Sequence, residues 1–199
     1  IISAYLSPKD ISPYLTSGPV KNKSLFFGRT QIINNMINKK ISNYIIIGSR
    51  GIGKSSLLKA LQRHFQNDSE IECFYTHLTG ENPFKDLAAC LNLPDNSEIE
   101  EIKYCLSHSL SHKKYLFLID EVDDFVMNDS KAKYPVLSFM RKLSEEEKCS
   151  FILAGFWNLY YLSTSDYKSP LKNYGEIIYL NELEESACYD LCTKPMRNM

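Results

Sequence analysis

One loop of this chain has the residue types and the spacing of a phosphate-binding site. The stretch GSRGIGKS, from Gly48 to Ser55, fits the pattern G-x-x-x-x-G-K-[ST] at every position. Glycines let the backbone turn so that several N–H groups point into one concavity and can hold phosphate oxygens. In such a loop the lysine, here Lys54, reaches the β- and γ-phosphates of a nucleotide, and the Ser55 hydroxyl binds Mg²⁺.

The whole loop and the residue after it are predicted to contact this ligand. A helix that begins near Lys54 adds the positive end of its dipole to the attraction for phosphate. The predicted contacts are Gly48, Ser49, Arg50, Gly51, Ile52, Gly53, Lys54, Ser55 and Ser56. The role of Arg50 stays open, since its guanidinium can touch a γ-phosphate or point at solvent.

A second group of reactive side chains follows the apolar run YLFLI. Asp120 ends that run and is placed to hold Mg²⁺ through water, while Glu121 can orient or deprotonate an attacking water. Within this run, Leu116 to Ile119 are predicted to form a strand that can lie beside the strand feeding the loop. Asp123 and Asp124 are interpreted as surface charge, without an assigned role.

The elements that must position these residues alternate along the chain. Short apolar runs predict buried strands at NYIIIG, IECFYTHL, KYLFLIDEVDDF, CSFILAGF and EIIYLNEL. Segments with helical spacing of apolar residues lie between them, such as GKSSLLKALQRHFQ. Strands that are apolar on both faces and alternate with helices predict an α/β domain with a mainly parallel central sheet of five strands.

Composition narrows the class of protein. The 199 residues suffice for one domain, and a net charge of -1 provides no global basic footprint for nucleic acid. No apolar run approaches the roughly 20 residues of a membrane span, so no membrane partner is expected. The six cysteines form no C-x-x-C pair, so a reduced, cytoplasmic location is the default expectation.

The N-terminal part of the chain has a different character. Residues 1–24 contain three prolines and several small polar residues, which predict an extended lead-in. Residues 25–199 are then predicted to form the core domain. The chain starts with Ile1 and stops within or just after an apparent helix, so we expect a piece of a longer protein.

The segment SPYLTSGPVKNKSLFFGRTQII resembles the N-terminal segment of bacterial STAND-type P-loop ATPases, a signalling branch near the AAA+ class. In such proteins a Pro-Tyr, a Gly-Pro-Val and a Phe-Phe-Gly-Arg precede the first helix. Here these are Pro13-Tyr14, Gly18-Pro19-Val20 and Phe26-Phe27-Gly28-Arg29. GSRGIGKSSLL, FILAGFWNLY and the closing TKP also resemble family segments, so the resemblance covers most of residues 12–196.

This resemblance implies a fold, ligands and further site residues. The fold would be an AAA+/STAND-like P-loop NTPase, a three-layer sandwich, and the ligands ATP or ADP with Mg²⁺. The Phe-Phe-Gly-Arg box lies over the adenine in related ATPases, which makes Phe27, Gly28 and Arg29 candidates for the base pocket.

The sequence departs from the AAA+ pattern in three places. At the end of the fourth predicted strand, where motors carry a polar sensor, it has Gly155 and Phe156, with Asn158 slightly late. No arginine stands between Arg141 and Arg197, where motors place an arginine finger worth ~10³ or more in rate. Lysines in that loop lack the planar fork of arginine. The helical lid is absent or only begun.

The sequence therefore supports one hypothesis and leaves two alternatives. The hypothesis is an ATP-binding, Mg-dependent NTPase core, a slow ATPase whose nucleotide controls assembly in signalling or defence. Its partners would be copies of the full-length protein, and other proteins bound through domains outside this chain. The first alternative is an origin-recognition-like or transposon-associated AAA+ ATPase acting on DNA. The second is a nucleotide-binding scaffold that does not hydrolyse its ligand.

Overall fold

The computed structural model describes residues 18–197 apart from 21, 40–41, 79–81, 109–112 and 148, and without the side chains of 107–108 and 196–197. Most of the predicted lead-in, including Pro13-Tyr14, lies outside the described residues. None of the described helices is long and apolar enough to cross a membrane.

Helices and strands alternate as predicted. The strands are β1 (Tyr44–Ile47), β2 (Ile71–His77), β3 (Lys114–Asp120), β4 (Cys149–Gly155) and β5 (Glu176–Tyr179). A short 3₁₀ helix, Lys23–Leu25, precedes the helices α1 (Thr30–Asn38), α2 (Lys54–Phe65), α3 (Pro83–Cys90), α4 (Ile99–His108), α5 (Asp123–Lys131), α6 (Pro135–Glu145), α7 (Trp157–Thr164) and α8 (Glu185–Arg197).

The five strands form one sheet in the order β2-β3-β4-β1-β5, and every neighbouring pair is parallel. The predicted parallel five-stranded sheet is thus confirmed. The prediction that β3 can lie beside β1 is wrong, because β4 lies between them: Leu118 pairs with Ile152, and Tyr44 pairs with Ile152 from the other side. The three central strands, β1, β3 and β4, are all buried and mainly apolar, so their composition does not indicate which of them are neighbours.

Alternate residues of each central strand face opposite layers, which gives the three-layer sandwich. Ile46, Leu118 and Ala154 lie in the core cluster that contains the apolar side of α2. Their neighbours Ile45 and Ile119 lie in the cluster that contains buried apolar residues of α3 to α7. The period of two along a strand explains this division. Because all five strands are parallel, their carboxyl ends lie at one edge of the sheet.

Helix α5 was not predicted from the sequence. Its segment DDFVMNDSK is rich in Asp, Asn and Ser, which have low helix propensity. Tertiary contacts stabilise it, since Phe125 and Val126 are buried. Asp129, only 5% exposed, ties it to α6 by accepting hydrogen bonds from the backbone N–H groups of Val136 (3.0 Å) and Leu137 (2.9 Å).

Replacing Asp129 with alanine should therefore lower the free energy of unfolding by about 1–3 kcal/mol, because two buried N–H groups at the start of α6 lose their acceptor. Chemical denaturation of the variant would measure the change. Asn128→Ala, at an exposed position of the same helix, is the matched control and should stay within about 0.5 kcal/mol of the parent. Equal stability of the two variants would contradict the assigned contact.

Candidate functional site

The glycine-rich loop joins β1 to α2, in the strand–loop–helix context that the motif requires. Gly51 has φ +81° and Gly53 has φ +103°, values that other residues rarely adopt. The carbonyl of Gly53 accepts the N–H of Leu57 at 2.9 Å, so α2 begins directly at the loop. Arg50 is exposed on the same loop. The N-terminal end of α2 therefore lies at the loop, as anion binding needs.

The Lys54 ammonium is folded against this loop. Its Nζ donates hydrogen bonds to the carbonyl oxygens of Gly48 (2.8 Å) and Ser49 (3.0 Å). Burial lowers the pKa of Lys54, and the nearby carboxylates of Asp120, Asp123 and Glu121 oppose that change. The predicted phosphate-binding lysine thus lies within electrostatic reach of the acids at and just beyond the end of β3.

Asp120 is held tightly at the end of β3. It is 1% exposed. Its Oδ1 accepts the backbone N–H of Glu121 at 3.0 Å, and its Oδ2 accepts the hydroxyl of Tyr75 at 2.8 Å. A buried carboxylate with a fixed orientation can act as an acceptor for the water shell of a divalent cation.

Glu121 differs from Asp120 in both exposure and backbone conformation. Its side chain is exposed, and its φ of +52° lies in the left-handed region that few residues other than glycine adopt. Strained backbone of this kind clusters at functional sites. The two adjacent acids are thus suited to different tasks, one fixed and buried and the other open to solvent.

The interpretation of Asp123 as surface charge is wrong. Its Oδ1 accepts the N–H of Asn158 (2.8 Å) and its Oδ2 the N–H of Phe156 (2.6 Å), so it caps α7. A Cβ on Gly155 would lie 2.7 Å from Asp123 Oδ2, so a side chain there would displace this carboxylate. Asp124 is exposed, as interpreted.

Two features of the sequence hid the role of Asp123. Its partners lie 33 to 36 residues away, a separation at which one sequence carries no pairing signal. Asn158, the late sensor candidate, donates from its Nδ2 to the carbonyl of Asp123 at 3.3 Å. The start of α7, directly after β4, is therefore hydrogen-bonded to Asp123 at the start of α5.

The Phe-Phe-Gly-Arg box packs against the connection between β5 and α8. Arg29 is buried: its backbone N–H donates to the Glu184 carboxylate (3.1 Å), and its guanidinium donates to the carbonyl oxygens of Glu182 (3.0 Å) and Asn181. Gly28 has φ +73°, and a Cβ there would lie 2.4 Å from Glu184 Oε2. A larger residue at this position would separate the box from α8.

A cavity of about 470 Å³ lies between this box, the glycine-rich loop and α8. Six of the residues predicted to contact the nucleotide line it, namely Phe27, Arg29, Gly51, Ile52, Gly53 and Ser56. The Ser56 Oγ also accepts the N–H of Val20, another lining residue, at 3.0 Å. The loop and the box, distant in sequence, thus share one cavity.

Other predicted contacts lie outside this cavity. Gly48 and Ser49 line a second, more open one of about 550 Å³ beside the end of β5. Gly28, Lys54 and Ser55 are not among the lining residues of either. Leu183 and Leu191 also line the first cavity, although no motif predicted a contact at either residue. The family likeness at Pro195, which lines the same cavity, is the one sequence signal near them.

The sequence of this chain matches one protein family over nearly its whole length. Residues 15–199 match the family described as Novel STAND NTPase 1, or nSTAND1. The chain belongs to this family. The predicted STAND/AAA+-like class is confirmed, and the nSTAND1 chain is a P-loop NTPase domain.

Solved structures share the fold of this nSTAND1 domain. A Walker-type ATPase of Pyrococcus abyssi superposes with a TM-score of 0.61 at 16% identity, over 91% of this chain and 61% of that one. The ORC1 protein of Aeropyrum pernix, solved with DNA, gives 0.58 at 14% identity, over 96% and 52%. A STAND protein of Pyrococcus horikoshii with a tetratricopeptide repeat sensor gives 0.52 at 18% identity, over 92% and 27%.

These likenesses concern the fold alone, because all three identities are below 20%. The nSTAND1 chain spans less than two thirds of the length of each of the three proteins. No curated protein matches its sequence.

The loop where motors carry an arginine finger has lysines in this nSTAND1 chain. The Lys172 ammonium donates to the carbonyl oxygen of Thr164 and lies 4.8 Å from the centroid of the Tyr167 ring. Lys168 is exposed. Lys172 is therefore engaged within its own loop.

Proposed function

We propose that this chain binds ATP or ADP, with the phosphates on the glycine-rich loop and the base in the adjoining cavity. The observation that carries the proposal is the single cavity lined by both Gly53 of the loop and Phe27 of the box. Its volume lies within the roughly 300–1,000 Å³ of small-molecule sites. A site for phosphate alone has no need of an adjoining, partly aromatic cavity, whereas a nucleotide needs both parts.

The residues beside the loop fit a divalent cation. In the proposed site the Ser55 hydroxyl would be a ligand of Mg²⁺, and the Asp120 carboxylate would hold the ion through water. The buried, doubly hydrogen-bonded Asp120 carboxylate supports this assignment. Mg²⁺ would neutralise charge on the β- and γ-phosphates. Lys54 supplies a second positive charge, once its ammonium exchanges loop carbonyls for phosphate oxygens.

We further propose that the chain hydrolyses the bound ATP. Glu121, exposed beside Asp120, would orient or deprotonate the attacking water. The chain has no arginine between Arg141 and Arg197, and Lys172 is engaged in its own loop. We therefore expect slow turnover, because the planar guanidinium that stabilises transition-state charge in motors is missing between these two arginines.

The biological role would be a nucleotide-controlled switch of assembly in a longer protein. Helix α8 contributes Leu191 and Pro195 to the cavity wall, so a bound nucleotide would contact this helix directly. A ligand shifts a conformational equilibrium only through contacts that differ between its states, and α8 is placed to make such contacts. A net charge of -1 favours this role over binding DNA, whose phosphates attract basic proteins.

Calorimetric titrations with ATP, AMP and tripolyphosphate, each in Mg²⁺ and in EDTA, test the proposed site. ATP should bind more tightly than AMP, which lacks the β- and γ-phosphates, and more tightly than tripolyphosphate, which lacks the base. Removing Mg²⁺ should weaken ATP binding, because the metal then no longer neutralises phosphate charge. Equal affinity for ATP and AMP would contradict the phosphate-loop assignment, and equal affinity for ATP and tripolyphosphate would contradict the base pocket.

A further inference from the structure

A tyrosine on the edge strand β2 reaches the acid at the end of β3. Tyr75 pairs with Leu118 in the parallel register of these strands. Asp120 is two residues beyond Leu118, and residues two apart lie on the same face of a strand. The Tyr75 hydroxyl and Asp120 Oδ2 are accordingly 2.8 Å apart.

This hydrogen bond completes a two-point hold on the carboxylate. The Glu121 N–H donates to Oδ1 and the Tyr75 hydroxyl to Oδ2, so the two donors act on different oxygens. Two such bonds fix the rotation of the carboxylate about its own axis. Each oxygen keeps acceptor capacity for one more partner, such as a metal-bound water.

The Tyr75 ring is itself held by the helix that carries the phosphate-binding lysine. The Lys59 ammonium lies over this ring, 3.2 Å from its centroid, in the geometry of a cation–π contact. Lys59 also donates to Gln62 Oε1 at 3.0 Å on the same helix, α2. Because Lys54 begins α2, the hold on Asp120 is tied to the element that grips the phosphates.

We infer that Tyr75 is a positioning residue for metal binding: its hydroxyl orients the Asp120 carboxylate toward the water shell of the nucleotide-bound cation. The inference rests on the proposed Mg²⁺-nucleotide site. The edge strand β2 would thereby contribute to the metal site, although no β2 residue lines either of the two cavities.

Tyr75→Phe removes the hydroxyl and keeps the ring under Lys59. The measurement is the ratio of ATP affinity in Mg²⁺ to ATP affinity in EDTA, by calorimetry. Partners that orient a metal ligand are typically worth about 10- to 100-fold in metal affinity. We expect this ratio to fall about tenfold in Tyr75→Phe, while affinity in EDTA stays at the wild-type value and thereby shows that the variant is folded.

Tyr44→Phe is the matched control, on strand β1 of the same sheet. The Tyr44 hydroxyl is buried and has no hydrogen-bond partner among the described residues, so its removal should leave the ratio unchanged. A wild-type ratio in Tyr75→Phe would overturn the inference. An equal loss of affinity in Mg²⁺ and EDTA would overturn it too, since it would indicate a merely structural role.

A double-mutant cycle separates action through Asp120 from any other route. Asp120→Asn should remove most of the Mg²⁺-dependent gain, and adding Tyr75→Phe to it should change the ratio no further. An additive loss would show that Tyr75 acts elsewhere and would sink the inference. If the wild-type chain binds ATP equally in Mg²⁺ and EDTA, the proposed metal site itself fails, an outcome read from the wild-type arm alone.

Discussion

Lys54→Ala is expected to lower ATP affinity by about 30-fold or more. The Lys54 ammonium is partly buried at the loop, and removing one partner of a buried, hydrogen-bonded charge pair costs about 2–5 kcal/mol, or about 30-fold to several thousand-fold in affinity. Isothermal calorimetry with ATP and Mg²⁺ measures the loss. ADP should be affected similarly, because it retains the β-phosphate.

Stability should change little in this variant. The carbonyl oxygens of Gly48 and Ser49, which lose the Lys54 ammonium, belong to a loop where water can replace it. Lys85→Ala is the control, since Lys85 pairs with Asp95 on the surface at 2.7 Å and should not affect ATP affinity. Wild-type affinity in Lys54→Ala would refute the phosphate-loop assignment.

Glu121→Gln should retain ATP and lose turnover by about 10²- to 10⁴-fold, the usual contribution of a general base. Glutamine keeps the size and the hydrogen-bonding capacity of the side chain but cannot accept a proton at neutral pH. The measurement is steady-state phosphate release in the full-length protein, together with ATP affinity by calorimetry. Turnover at the wild-type rate would place the base at another residue.

The same variant tests the proposed switch. With hydrolysis blocked, the ATP-bound state should persist, so the mass of the full-length protein in light scattering should stay at its ATP value instead of relaxing to its ADP value. Asp124→Asn changes an exposed carboxylate three residues away and should behave as wild type. If the full-length protein has the same mass in ATP and in ADP, the proposed switch of assembly is contradicted. If the wild-type protein binds ATP but releases no phosphate, the scaffold alternative is favoured.

The glycine-rich loop illustrates what could be predicted from residues alone. Its conformation depends on neighbours in sequence, and glycine is the residue that readily adopts the φ of +81° and +103° found at Gly51 and Gly53. The strand before it and the helix after it follow from local hydrophobic spacing. Asp120 was predictable for the same reason, because it directly follows an apolar run, Leu116 to Ile119, that forms most of β3.

Helix α5 and Asp123 illustrate what could not be predicted. The intrinsic propensity of DDFVMNDSK disfavours a helix, and packing of Phe125 and Val126 in the core overrides it. Asp123 resembles any surface acid until the fold brings the start of α7 within 3 Å of its carboxylate. The position of β4 between β1 and β3 was likewise not predictable from the sequence.

Residues that are neighbours in the chain carried the predictions that needed no tertiary contact: the glycine-rich loop, the adjacent acids Asp120 and Glu121, the alternation of strands and helices, and the family resemblance at Phe26 to Arg29. The match over residues 15–199 confirms the family. Two contacts emerged only from the fold, namely the cap that Asp123 provides and the Tyr75 hydroxyl on Asp120. The fold also brings Phe27 and Gly53, predicted contacts of one nucleotide, to a shared cavity. The physical reason is that local backbone preference acts over a few residues. Partners 33 to 45 residues apart are brought together by the order of strands in the sheet and by core packing.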